Sequence, residues 1–110
     1  MTPKKKAKPR RYPPIPASVM GAGGLIDVAV VPKVDASEAE DEHVLGVFKA
    51  TARRIEILKG LRGDQRWLVF FHELTHAALW DSGAMNGMTE AQQESVCDAV
   101  ATQRLREKFG

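Results

Sequence analysis

Apolar positions along the chain recur first with the period of strands and later with the period of helices. Leu25-Ile26-Asp27-Val28-Ala29-Val30-Val31 is a short run rich in β-branched residues and closed by Pro32, a composition that predicts a strand. Val44 to Lys49 forms a second apolar run. Arg54-Ile55-Glu56-Ile57-Leu58-Lys59 alternates cleanly, as a half-exposed strand does, before Gly60 and Gly63 end it. The acidic stretch Glu38 to Glu42 is expected to be a loop, and the three strands together predict an antiparallel meander. From Gln65 to Trp80 the pattern changes to one long apolar-rich segment, with Asp64 where an N-cap belongs and Gly83 just beyond its end, so a helix is expected. In Thr89-Glu90-Ala91-Gln92 the threonine can accept from the backbone N–H three residues on while the glutamine reaches back, which marks the start of a second helix running toward Phe109. Cys97, Val100, Ala101 and Leu105 fall on its apolar side. The expected fold class is α+β, a small three-stranded antiparallel sheet packed on one helix and followed by a second long C-terminal helix.

The first 24 residues have a different character. Residues 1–16 combine Lys4, Lys5, Lys6, Lys8, Arg10 and Arg11 with five prolines and almost nothing apolar, and Gly21 to Gly24 are glycine-rich. Prolines remove backbone donors, and a block of like charge repels itself, so residues 1–24 are expected to be a flexible tail and residues 25–110 the folded domain. The tail also changes the meaning of the charge. Of 16 basic residues these six lie in the first twelve positions, leaving 10 against 14 acidic ones, so the remainder carries a net charge of −4 although the chain as a whole is +2. Nucleic-acid contact, if any, is therefore expected through the tail alone. With 110 residues there is room for one modest core. No apolar run is long enough for a membrane span, no secretory segment follows the basic start, and a single cysteine excludes an internal disulfide, so a cytoplasmic location is expected.

The chemistry is concentrated in His72-Glu73-Leu74-Thr75-His76. Two imidazoles four residues apart stand one turn from each other on one helical face, where both can point at a single ion, and Glu73 beside them is placed to take a proton from a metal-bound water. Two ligands do not complete a catalytic site, which normally has three. No histidine follows His76, and Leu79 and Ser82 occupy the places where a metzincin carries its glycine and third histidine. Glu94 is the natural third donor, because Asp98 lies one turn further on and can accept the free N–H of a ligand histidine. Glu90, Cys97 and Asp81 remain rival third ligands. Trp67, Phe70, Phe71, Leu74 and Ala78 are expected in the core, Val69 and Trp80 share the histidine face, and His43 beside Glu42 is expected at the surface.

His72-Glu-Leu-Thr-His76-Ala-Ala-Leu-Trp followed by Glu94-Ser-Val-Cys-Asp98-Ala resembles the zincin metallopeptidases of the glutamate-ligand, or gluzincin, branch, among them the very small phage-encoded and ImmA/IrrE-like members. The resemblance spans roughly residues 25–105. It implies a sheet above the motif helix, with an edge strand that pairs with an extended peptide substrate, and Arg54 to Leu58 is the strand assigned to that task. Larger gluzincins have a downstream histidine or tyrosine that steadies the oxyanion. Here only Tyr12 and His43, both upstream, remain. Very small members can be latent beneath a terminal segment, which points to the first sixteen residues or to the end after Phe109.

The expected function is that of a zinc-dependent metallopeptidase, with Zn2+ held by His72, His76 and Glu94, Asp98 supporting a ligand histidine, and Glu73 activating the metal-bound water for hydrolysis of a peptide bond. The alternative is a zinc-stabilised regulatory or binding module whose basic tail contacts nucleic acid. Glu73 separates the two, since a purely structural site has no use for a base.

Overall fold

A computed structural model describes residues 12–34 and 44–110. The basic residues Lys4 to Arg11, the acidic stretch Glu38 to Glu42 and His43 lie outside the described residues. Four strands, β1 (Ser18–Gly21), β2 (Gly24–Val31), β3 (Gly46–Lys49) and β4 (Arg54–Leu58), precede two long helices, α1 (Gly63–Ser82) and α2 (Glu90–Phe109), which are joined by a short 3-10 turn, Ala84–Gly87.

The sheet is four-stranded and mixed, in the order β1-β2-β4-β3. The expected meander of three antiparallel strands is thus corrected in two respects. β2 and β4 are parallel neighbours, pairing Val28 with Ile55 and Val30 with Ile57, while β3 lies antiparallel on the far side of β4. The long connection from β2 to β3 frees the chain from the hairpin geometry that a meander needs. It lets the two strands carrying fully or nearly fully buried residues, Ile26 and Val28 on β2 and Ile55 and Ile57 on β4, take the centre of the sheet. β1, from the segment expected to be tail, closes the other edge in a tight antiparallel hairpin with β2.

The folded unit also begins before residue 25. Tyr12 and Ile15 pack on the core, Trp67 Nε1 donates to the Pro13 carbonyl at 2.7 Å, and Tyr12 meets Phe109 edge to face at 4.9 Å. Prolines do not prevent such packing, because an extended segment needs only carbonyl acceptors and apolar rings to dock.

The architecture is layered. α1 packs on the sheet with one side and on α2 with the other. A helix enclosed in this way must be apolar on more than one face, which accounts for consecutive buried Phe70 and Phe71 beside buried Trp67 and Ala77. Leu74 packs at the edge of this cluster, whereas the alanine inside is Ala77 and Ala78 is exposed. α1 starts at Gly63, so Asp64 lies in its first turn and favours the helix dipole instead of acting as N-cap, a position held by Arg62. Gly83 ends the helix in the left-handed conformation at φ 77°. Thr89 and Gln92 form the expected capping box on α2, with bonds of 3.1 and 2.8 Å. Among the described residues no helix is long and apolar enough to cross a membrane.

Candidate metal centre

His72 and His76 stand one turn apart on the side of α1 that faces α2, their ring centroids 4.9 Å apart. The antiparallel run of α2 brings Glu94 opposite both. Its Oε1 lies 3.2 Å from His72 Nε2 and its Oε2 lies 2.7 Å from His76 Nε2, so one carboxylate spans the two imidazoles. Asp98, one turn further along α2, lies with its Oδ1 2.8 Å from His72 Nδ1. Donation of the Nδ1 proton to Asp98 would leave the Nε2 lone pair of His72 free for an ion placed between it and Glu94. Burial pushes the His76 pKa below its ordinary 6.5, with Glu94 opposing, and so favours the neutral ring that ligates metal. Glu94 and Asp98 are 51% and 74% exposed at the side chain, so the centre opens to solvent along α2.

Glu73, next to His72, lies between this cluster and the sheet. It is 8% exposed, and the backbone N–H of Phe48 on β3 donates to its carboxylate. Burial raises its pKa from 4.5 to about 7, a rise that His72 opposes, Glu94 adds to and the Phe48 bond reduces. β3 approaches this closely because position 46 is glycine. A Cβ there would stand 2.5 Å from Val69 Cγ1 and 3.4 Å from Glu73 Cγ.

Two donor sets for one ion overlap here. Ligand atoms of His72, His76 and Cys97 lie within 4.8 Å of one another and can hold a metal ion, while the Glu94 carboxylate is nearer still to both imidazoles. Of the two candidates for third donor, Glu94 has the better chemistry as the structure stands. A half-exposed carboxylate already spans the two rings, whereas burial, together with Glu94, Glu73 and Asp98, pushes the Cys97 thiol up to about 12. Two imidazole nitrogens and a carboxylate oxygen converging from two helices make a donor set that can hold a metal ion.

The remaining rivals fall away for structural reasons. Asp81 is paired with Arg53 and accepts from the Gly23 N–H at 2.9 Å, an arrangement that holds its pKa below the ordinary carboxylate range. It ties the β1–β2 turn to the end of α1, and glycine is needed at 23 because a Cβ would stand 2.7 Å from that carboxylate. Glu90 is exposed in the first turn of α2. Tyr12 is no candidate for the oxyanion, since it packs against Gly63 and His72 lies about 14 Å of helix rise further on. Phe109, packed on Trp67 and Tyr12, marks the same remote end.

Arg54 to Leu58 is a central strand, flanked by β2 and β3, and has no free edge for a peptide. Among the described residues, the sheet edge beside Glu73 is the outer edge of β3. Gly46 and Phe48 were missed as site residues, and the available signal was a glycine at the start of a short apolar run, which marks close approach of another group. Comparison with protein-family models, curated proteins and solved structures finds no match to this chain.

Proposed function

We propose that the chain is a small zinc-dependent peptidase. The observation that carries this reading is the Glu94 carboxylate spanning the Nε2 atoms of His72 and His76 while Glu73 lies buried beside them. His72, His76 and Glu94 would hold the zinc, which would supply a Lewis acid for a peptide carbonyl and lower the pKa of a bound water to about 7. Asp98 fixes the tautomer and the ring plane of His72. Glu73, with a pKa near neutrality, accepts a proton from water and returns it to the leaving amine, and the Phe48 N–H holds its carboxylate in place for both transfers. The outer edge of β3 offers backbone groups for an extended peptide, antiparallel or parallel, directly above Glu73.

A second reading, a zinc-stabilised binding module, is favoured by the buried sulfur of Cys97 close to the two imidazoles, since sulfur-containing sites are often structural. The experiment that separates the two is Glu73→Gln. Elemental analysis should find one zinc per chain in both proteins and none in the His72→Ala/His76→Ala double variant. Cleavage of a mixed peptide library should fall about 10²- to 10⁴-fold in Glu73→Gln. Equal cleavage by both proteins rejects Glu73 as the base, and zinc retained by the double alanine variant rejects the site.

A further inference from the structure

We propose that Cys97 is itself a ligand of the metal, so that the chain presents four protein donors, His72, His76, Glu94 and Cys97, to one ion. This rests on the metal reading above and adds a donor to it. α1 offers two imidazoles one turn apart, and α2 offers Glu94 and, three residues later, Cys97 on a neighbouring row of the same helix face. The sulfur and one nitrogen of each ring lie within 4.8 Å of one another. Cys97 is 0% exposed and free of any disulfide. An ordinary helix-packing cysteine is surrounded by aliphatic groups, whereas this one faces two imidazoles.

When an ion binds, the S–H bond breaks, the proton leaves to solvent, and the sulfur electron pair forms the metal–sulfur bond, with no change of oxidation state. A set of two nitrogens, one oxygen and one sulfur selects a borderline-soft ion such as zinc over magnesium or manganese. Four protein donors also close the site. A catalytic centre keeps one position for water or substrate, so the form with Cys97 bound is latent, and peptide hydrolysis requires the sulfur to give up its place.

Cobalt(II) titrated into the metal-free full-length chain tests this, alongside Cys97→Ser and Cys97→Ala, with bound metal counted by elemental analysis. The alanine variant keeps the position apolar and separates loss of a ligand from loss of the fold. The expected result is one cobalt per chain with a near-ultraviolet thiolate-to-cobalt charge-transfer band. Both variants should still bind cobalt but lack the band, and their zinc affinity should fall by more than the ~10- to 100-fold typical of losing an outer-sphere partner. Cobalt bound to the wild type without that band, or with a spectrum unchanged by Cys97→Ser, overturns the proposal and leaves the His72, His76 and Glu94 centre standing. Failure of the wild type to take up either metal overturns both.

Discussion

Glu73→Gln has a consequence for the metal-free protein that needs no substrate to observe. A carboxylate whose pKa is 4.5 in the unfolded chain and about 7 in the folded one binds more protons when folded across that interval. Stability therefore falls as pH rises through it: the contribution is intact below the unfolded pKa and fully lost above the folded one. At 1.36 kcal/mol per pKa unit, the ionised form of Glu73 costs the fold about 3 kcal/mol at neutral to basic pH. Glutamine resembles the protonated acid, since it offers one carbonyl oxygen to the Phe48 N–H and carries no charge to desolvate. Urea unfolding of EDTA-treated wild type and Glu73→Gln at several pH values between about 5 and 8 should find the variant increasingly more stable, approaching that 3 kcal/mol. The lowered pKa of His76 gives each protein a component of opposite sign, rising with pH, that both proteins share. Saturating zinc should shrink the gap, since a nearby cation favours the carboxylate. A difference that is flat with pH, or a variant less stable than wild type at pH 8, would refute the reasoning.

Other substitutions probe the parts that hold the centre in place. Asp98→Asn should weaken zinc binding by about 10- to 100-fold, as judged by competition with a chelating dye, and Glu94→Ala should weaken it further because a donor is removed. Gly46→Ala, which drives a methyl into Val69 on α1, should cost about 1–3 kcal/mol in urea unfolding. Deleting residues 1–16 removes the Pro13 carbonyl that accepts from Trp67 and uncovers the core beneath Tyr12 and Ile15. The lost hydrogen bond alone makes this cost about 0.5–1.5 kcal/mol, with the exposed apolar surface adding to it, and an unchanged melting curve would contradict that packing. Ile57→Ala, in the fully buried centre of the sheet, should cost about 2–5 kcal/mol by the same measurement.

Features that depend on a few neighbouring residues were determined by the sequence alone. The one-turn spacing of His72 and His76, the capping box at Thr89 and the left-handed stop at Gly83 all follow from local backbone geometry. So does the one-turn offset between Glu94 and Asp98, which α2 turns toward the same pair of rings. The tertiary structure decided whatever depends on which segments meet. Alternation in β2 says which face is buried, whereas in β4, expected to be half exposed, Glu56 is buried along with Ile55 and Ile57; neither pattern says which strand lies beside which edge, because backbone hydrogen bonds are the same for every partner. The parallel pairing of β2 with β4 and the recruitment of Ser18–Gly21 as β1 therefore had no sequence signature of their own. The same holds for carboxylates. Asp81 and Glu94 are alike as residues, and only packing gives one to Arg53 and the other to the histidines. Glu73 is set beside a proton-donating strand edge, with its pKa near neutral, because α1 is enclosed between the sheet and α2 and Gly46 leaves β3 room to reach it.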